Sequence, residues 1–333
     1  MPKQKTAPAE ILYPFHKKFP LKVFSWYRWH KNTKIKSILP KLNKNGKWIT
    51  IIDRLGGLGD TIITANIIYE IKKKFKNLKI NCITPNPELI IYDPIIDKIN
   101  GYENFYSIDS CYTEVFENNK SNNKIIDYTL DKIGIKDGKY KARFHTRRVE
   151  LEWAKKELIH LKKPLIGIST RTKEDVKNWP EQYWDMFILK NFDSCSFIQL
   201  GDENEIIISN ATRFAGKLNL RQSAAILSQM DFYIGSDSLL MHLANAFKIK
   251  SIIIFGGSRN ANQIGYENNI NITNVPNCSP CWIHKEDGEF CNYKIKCMSN
   301  IKPAEVDEIF KRNVKEISDK KNKLERRRFA LPH

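Results

Sequence analysis

The second half of the sequence alternates between short apolar segments and helical segments, and this alternation constrains the fold more than any other feature. Apolar segments at residues 165–169, 196–200, 232–235 and 251–255 are separated by helical patterns at 180–189, 220–230 and 238–247. Strands that alternate with helices in this way form a parallel, doubly wound sheet. A last helical pattern runs from residue 303 to about residue 323.

The first half opens with the same kind of unit. Residues 48–53 form an apolar run typical of a buried parallel strand, and a glycine-rich turn follows. Residues 60–76 then predict a helix with an apolar face of Ile63, Ile67, Ile71 and Phe75, and residues 79–84 predict the next strand. Weaker patterns predict a strand at 100–108 and helices at 124–133 and 150–161.

A chain of 333 residues is long enough for two domains of about 150 residues each. We expect an α/β protein with two Rossmann-like, doubly wound domains that face a central cleft, where parallel sheets bind ligands. The predicted divisions are a basic and aromatic extension at 1–46, a first domain at 47–150, a second domain at 151–310, and a helix and tail at 311–333.

The composition favours a cytoplasmic protein with an acidic partner. No apolar run approaches the roughly 20 residues that span a bilayer, and lysines interrupt the aromatic N-terminus. The net charge of +18 implies nucleic acid, anionic lipid or a phosphorylated substrate, unless it reflects a lysine-rich genome. Charge alone does not choose among these.

The first candidate site is the turn between the first strand and its helix, which contains Arg54, Gly56, Gly57, Gly59 and Asp60. Glycines at such a junction let the backbone approach a ligand, and the helix N-terminus favours negative charge. No acidic residue ends the following strand, which argues against dinucleotide binding. Asp60 fits either a helix cap or a general base that faces the cleft.

Two further candidate sites follow strands of the second half. Ser169, Thr170 and Lys177 combine hydroxyls with an ammonium group before a helix, which suits a diphosphate, although a solvated loop is the commoner origin of such a pattern. Asp237 and Ser238 end a strand and begin a helix, and His242 lies one turn further on the same face.

The fourth candidate site is a cysteine-rich segment at 278–297. Its spacing, a CxxC pair followed by two more cysteines, suits a tetrahedral thiolate site or a redox-sensitive cluster, against the alternative of four unliganded thiols. Zinc is the default metal and iron the alternative. The predicted ligands, on an exposed surface finger, are Cys278, Cys281, Cys291 and Cys297.

These motifs together resemble glycosyltransferase family 9, the ADP-heptose:lipopolysaccharide heptosyltransferases. The family's R-L-G-x-x-G-D motif is matched by residues 54–60, and its phosphate loop with K-x-W-P by residues 169–180. Its D-S-G-x-x-H element is approximated by residues 237–242, with Leu239 in place of glycine. The cysteine segment ends in Cys-Met, as in the family, and the resemblance covers residues 48–310.

The resemblance implies a GT-B fold and inverting transfer that needs no metal. It implies that Asp60 is the general base on the acceptor hydroxyl and that the second domain binds the nucleotide sugar, with ADP-heptose as the expected donor. The implied donor ligands are Thr170, Lys177, Asp237, Ser238 and His242, with Ser169 a weaker candidate. The expected acceptor is a lipopolysaccharide core or another saccharide.

Three alternatives remain at this stage. The cysteine segment is similar to that of the iron-binding heptosyltransferases that modify autotransporter adhesins, which implies a protein acceptor. The charge and the cysteines also fit a nucleic-acid-binding protein with a metal knuckle, but acidic residues at 286, 287 and 289 argue against it. The basic and aromatic N-terminus at 1–46 fits either docking on the inner face of a membrane or a structural strap that packs on the first domain.

Overall fold

The computed structural model describes residues 35–101, 106–112, 123–274, 276–281 and 291–329. The chain divides into two compact units, residues 1–147 and 148–333, whereas the sequence predicted a boundary after residue 150. Each unit contains a parallel sheet covered by helices. The GT-B architecture consists of two parallel α/β domains of this kind.

The first unit contains helices α1 (Ile35–Lys44), α2 (Leu58–Lys74) and α3 (Ile125–Lys132), and strands β1 (Trp48–Asp53), β2 (Lys79–Ile83), β3 (Lys98–Ile99) and β4 (Ser107–Ser110). Its strand order is β3-β2-β1-β4. The prediction of a single strand over 100–108 is wrong. β3 pairs with β2 and β4 pairs with β1, so these two short strands lie at opposite edges of the sheet.

Helix α2 is the central helix of the first unit. The predicted apolar face of Ile63, Ile67, Ile71 and Phe75 is buried, and Ile62 and Ile68 on other faces are buried as well. A helix that is apolar nearly all round packs against neighbours on several sides. This packing fixes the start of α2, and therefore the position of Asp60, against the end of β1.

Helix α1 belongs to the first unit although it lies within the predicted extension at 1–46. Its residues Ile35, Leu39 and Leu42 are buried, and the side-chain oxygen of Asn43 accepts a hydrogen bond from the backbone N–H of Asn77 at 2.9 Å. The last part of the extension therefore packs as a structural element. Residues 1–34 lie outside the described residues.

The second unit contains strands β5 (Leu165–Ile168), β6 (Ser196–Gln199), β7 (Ala211–Arg213), β8 (Phe232–Ser236), β9 (Ser251–Phe255) and β10 (Asn269–Thr273). Their order is β10-β9-β8-β5-β6-β7, and all pairs are parallel. The predicted strands are confirmed within a residue or two. β7 and β10, the two edge strands, were not predicted.

The helices of the second unit are α4 (Arg148–Leu158), α5 (Glu181–Asn191), α6 (Leu220–Leu227), α7 (Leu239–Ala246), α8 (Ala261–Ile264), α9 (Lys296–Ser299) and α10 (Pro303–Phe329). Pro180 is the N-cap residue of α5. Helix α10 continues through residue 310, where the sequence suggested a boundary, because Val306 and Phe310 are buried in the core of this unit. Phe310 packs edge-on against Phe187 with ring centroids 5.2 Å apart. No described helix is long and apolar enough to cross a membrane.

Candidate functional site

The glycine-rich turn of the first unit places Asp60 in the first turn of α2. Its Oδ2 accepts a hydrogen bond from the backbone N–H of Gly57 at 3.1 Å, so the predicted capping contact is present. Gly56 adopts φ +70°, a left-handed conformation that glycine takes without strain. Gly59 lies inside α2. A guanidinium nitrogen of Arg54 lies 3.7 Å from Oδ2 of Asp109 at the end of β4.

Asp53, the last residue of β1, anchors this turn and was not predicted as a site residue. Its carboxylate accepts hydrogen bonds from Thr61 Oγ1 at 2.6 Å, from Thr84 Oγ1 at 2.8 Å and from Gly56 N–H at 3.1 Å. Burial raises the pKa of Asp53 above its ordinary value, although these three hydrogen bonds oppose the shift. Asp53 therefore fixes the loop that presents Asp60. A carboxylate directly after a buried apolar strand is the signal that could have identified it.

The second unit brings Lys177 and Asp237 together at the carboxyl edge of its sheet. Lys177 ends a short 3₁₀ turn (Asp175–Lys177), and its Nζ lies 3.1 Å from Oδ2 of Asp237, which follows β8. Nζ also lies 3.0 Å from Oε2 of Glu174. Residues that are 60 positions apart in sequence, Lys177 and Asp237, thus form one buried ion pair.

Arg259 and Glu174 complete this charged cluster and were not predicted. A guanidinium nitrogen of Arg259 lies 3.5 Å from Oε1 of Glu174, and its Nε lies 4.0 Å from Oδ2 of Asp237. Burial by itself raises the pKa of Asp237, but the charges of Lys177 and Arg259 lower it below its ordinary value. Asp237 is therefore ionised at neutral pH.

His242 lies one turn into α7 and is buried. Its Nδ1 lies 2.7 Å from the hydroxyl of Tyr266, and burial lowers its pKa to about 4 although the charge of Asp237 opposes the shift. The imidazole is therefore neutral at neutral pH and serves as a hydrogen-bonding group. Ser238 occupies the N-cap position of α7, but its side chain makes no capping hydrogen bond.

Ser169 and Thr170, both predicted as phosphate ligands, have protein partners. Ser169 Oγ lies 2.6 Å from the hydroxyl of Tyr233. Thr170 donates hydrogen bonds from its backbone N–H and its hydroxyl to Oε2 of Glu205, and the backbone N–H of Arg171 donates to the same oxygen at 3.0 Å. Burial raises the pKa of Glu205 to about 7, although these hydrogen bonds oppose the shift. Glu205 thus accepts the hydrogen bonds of groups that the sequence assigned to a donor phosphate.

A cavity of about 440 Å³ lies beside this loop in the second unit. Thr170, Arg171 and Trp179 line one side, and Ile295, Met298 and Ser299 line another. The cavity is therefore lined by the predicted donor loop on one side and by the end of the cysteine-rich segment on the other.

Two of the four cysteines, Cys281 and Cys297, contact the backbone of Gly257. The N–H of Cys281 donates to the carbonyl oxygen of Gly257 at 3.0 Å, and the N–H of Gly257 bonds the thiol of Cys297. Burial raises the pKa of the Cys297 thiol, and the nearby Cys281 and Cys291 raise it further. Cys297 is buried in the core with Met298, so the prediction that all four cysteines lie on a surface finger is wrong for this residue.

The cysteines as placed do not form a preformed metal centre. Within the residues that the structure describes, no three His, Cys, Asp or Glu side chains are grouped so that they could hold a metal ion. The hydrogen bonds to sulfur are of the kind that support metal-bound thiolates, since the N–H of Ile295 also donates to Sγ of Cys291 at 3.4 Å.

Comparisons with known proteins identify the family of this chain. The model of glycosyltransferase family 9 (heptosyltransferase) matches residues 120–289, so the chain belongs to this family and is a glycosyltransferase. The match begins after the Arg54 to Asp60 turn. A comparison with curated proteins gives no match.

Solved structures show the same fold. A family 9 glycosyltransferase from Veillonella parvula DSM 2008 has a TM-score of 0.62 and 15% identity, covering 81% of this chain and 97% of that chain. The iron-containing dodecameric glycosyltransferase TibC from enterotoxigenic E. coli H10407 has a TM-score of 0.63 and 18% identity, and the match covers 80% of this chain and 75% of the TibC chain. ADP-heptose lps heptosyltransferase II of E. coli has a TM-score of 0.54 and 12% identity, and the match covers 80% of this chain and 98% of that chain.

Proposed function

We propose that this chain is an inverting heptosyltransferase that moves heptose from ADP-heptose to a saccharide acceptor such as a lipopolysaccharide core. Family membership supports heptosyl transfer over the nucleic-acid-binding and scaffold alternatives. ADP-D-beta-D-heptose is the ligand named for one solved structure of TibC, a protein with the same fold. We place the enzyme in the cytoplasm, with peripheral contact to the inner face of the membrane.

The observation that carries the proposal is the buried pair of Lys177 and Asp237 at the end of β8. Negative charge builds on the diphosphate as it leaves the sugar, and the ammonium group of Lys177 stabilises that charge. In this proposal the Asp237 carboxylate accepts a hydrogen bond from a hydroxyl of the donor sugar, and the neutral His242 is a second hydrogen-bonding group. Ser238 faces the same strand end, while Ser169 and Thr170 shape the loop through Tyr233 and Glu205.

Asp60 is the general base of the proposed reaction. It removes the proton of the acceptor hydroxyl as that oxygen attacks the anomeric carbon, and the ADP diphosphate leaves from the opposite face. The hydrogen bond from Gly57 and the network of Asp53 hold its carboxylate in one orientation. Arg54, Gly56, Gly57 and Gly59 complete this acceptor loop.

Metal takes no part in the proposed transfer. Each proton and charge in the proposed reaction is handled by Asp60 or Lys177, as the resemblance to the family implies. The proposed role of Cys278, Cys281, Cys291 and Cys297 is structural, with zinc or iron as the ion.

A second candidate acceptor is a protein serine or threonine, as in autotransporter adhesins. The cysteine segment supports this candidate. Cys281 and Cys291 lie near Cys297, and TibC, a solved structure of similar fold, is named as an iron-containing glycosyltransferase. The chemistry at Asp60 and Lys177 is the same for a protein hydroxyl.

Product analysis tests the proposal. The protein is incubated with ADP-heptose and either a lipopolysaccharide core or an adhesin fragment, and the masses of the products are measured by mass spectrometry. We expect a mass increase of one heptose on the saccharide and release of ADP. ADP-glucose in place of ADP-heptose tests the sugar, and the Asp60→Asn variant is the inactive control. Transfer to the adhesin alone would select the second candidate, and ADP-heptose left intact with both acceptors would refute the proposed function.

A further inference from the structure

Arg259 has a position that neither the family match nor the proposed mechanism explains. It follows β9 in the loop Gly256-Gly257-Ser258, and only 17% of its side chain is exposed. Its guanidinium contacts Glu174 at 3.5 Å and Asp237 at 4.0 Å. The same two carboxylates contact Lys177, at 3.0 Å and 3.1 Å. Lys177 and Arg259 therefore bind the same two carboxylates.

Building on the proposed function, we infer that Arg259 is a second cationic ligand of the donor diphosphate, and that Glu174 is the carboxylate that the diphosphate displaces. Guanidinium and ammonium groups together match two neighbouring phosphates, since arginine binds phosphate oxygens in pairs and lysine acts as a point charge. The cluster of two cations and two carboxylates carries no net charge, so a diphosphate needs one carboxylate to leave.

Glu174 is the carboxylate suited to move. It lies in the loop before the 3₁₀ turn, and 23% of its side chain is exposed. Asp237 has a shorter side chain that is 10% exposed and is held at the end of β8. Glu174 thus keeps both cations in place while no donor is bound, and its side chain has solvent into which it can swing.

The loop that carries Arg259 is held against the loop that carries Lys177. A Cβ atom at Gly256 would lie 2.5 Å from the carbonyl oxygen of Val176, so only glycine permits this approach. The next residue, Gly257, accepts the hydrogen bond from Cys281 at 3.0 Å. These contacts fix the distance between the two cations before donor binds, which lowers the entropic cost of binding.

Calorimetric titration with ADP and with adenosine tests the inference. Arg259→Gln is expected to weaken ADP binding about tenfold, the size of one charged hydrogen bond, and to leave adenosine binding unchanged. Glu174→Gln is expected to strengthen ADP binding about threefold or more, because a like charge next to the phosphates is removed. Arg148→Gln, the same change at an exposed residue, is the matched control, and Lys177→Gln is the positive control.

The outcomes separate this inference from the proposed function. Parent protein that binds no ADP overturns the proposed function itself. Normal ADP affinity in Arg259→Gln, with weak binding in Lys177→Gln, overturns the role of Arg259 and leaves the function standing. Weaker ADP binding in Glu174→Gln overturns the displacement. If Arg259→Gln does not fold, Arg259→Lys is used, and we expect a smaller but measurable loss because lysine cannot bind phosphate in pairs.

Discussion

The carboxylate of Glu205 accepts hydrogen bonds from both the backbone N–H and the hydroxyl of Thr170. These are two of the groups that the sequence assigned to a donor phosphate. Thr170 therefore supports the loop in this structure, and a phosphate could reach its hydroxyl only if Glu205 moved.

Glu205 predicts a dependence of stability on pH. Its pKa is raised by burial from 4.5 to about 7, so the folded state binds its proton more tightly than the unfolded state. The stability that this proton contributes is complete below about pH 4.5 and is lost as the pH rises through about 7. Glu205→Gln lacks this titration. Urea unfolding at about pH 5 and about pH 8 should therefore show the variant gaining stability relative to the parent as the pH rises.

The control for this measurement is Glu203→Gln, since Glu203 is exposed in the same loop. This variant reports the general effect of removing one exposed carboxylate from the loop. A difference for Glu205→Gln that follows that of Glu203→Gln at both pH values would mean that Glu205 is ionised over the whole range and that its hydrogen bonds outweigh its burial.

Asp60→Asn separates catalysis from capping. The asparagine oxygen can still accept the hydrogen bond from Gly57, so we expect the helix and the melting temperature to be preserved. Loss of a general base should reduce turnover by about 10²–10⁴, with ADP binding unchanged. Steady-state kinetics and calorimetry measure the two effects, and a variant with near-normal turnover would leave Asp60 as a cap alone.

The spacing of the four cysteines predicts one bound metal ion, although their side chains as placed are not grouped around one. Protein purified without added metal is expected to contain iron or zinc by elemental analysis, and Cys278→Ser with Cys281→Ser is expected to lose it together with some stability. Cys195→Ser, at a buried cysteine outside the segment, is the control. Metal-free parent protein in which all four thiols react freely would show that they are packing residues.

Residues 1–34 are predicted to bind an anionic membrane surface. Their lysines each contribute about 1 kcal/mol near anionic lipid, and their aromatic rings favour the headgroup region. The truncation should stop at residue 34, because Ile35 begins a helix that packs in the first unit. Full-length protein should float with phosphatidylglycerol vesicles, and the truncated protein should not. Equal flotation of the two would contradict the prediction.

The sequence predicted the central strands well and the edge strands poorly. β1, β5 and β9 are buried on both faces, so their residues form continuous apolar runs that are visible in one sequence. β10 reads Asn-Ile-Asn-Ile-Thr and pairs with β9 alone, while β7 has only three half-buried residues. Edge strands carry polar residues that resemble those of loops.

The same contrast holds in the site. Lys177 and Asp237 stand in recognisable motifs, and the structure places them together. Arg259 follows two glycines and a serine without any diagnostic spacing, and Glu205 lies in an acidic run that resembles a solvated loop. Both acquire their roles from contacts with residues that are distant in sequence. Arg259, for example, contacts Glu174, which lies 85 residues away in the chain, and sequence spacing cannot show such a contact.

The charged cluster of the resting donor site carries no net charge, because it pairs two cations, Lys177 and Arg259, with two carboxylates, Asp237 and Glu174. A bare cationic pocket would attract inorganic phosphate and other small anions that are abundant in cells. A neutral pocket offers them little, because a small anion must break existing ion pairs without other contacts to compensate. A nucleotide sugar brings a base, a ribose and a sugar as well as its phosphates. The enzyme would therefore discriminate against competing anions before any recognition of the sugar begins.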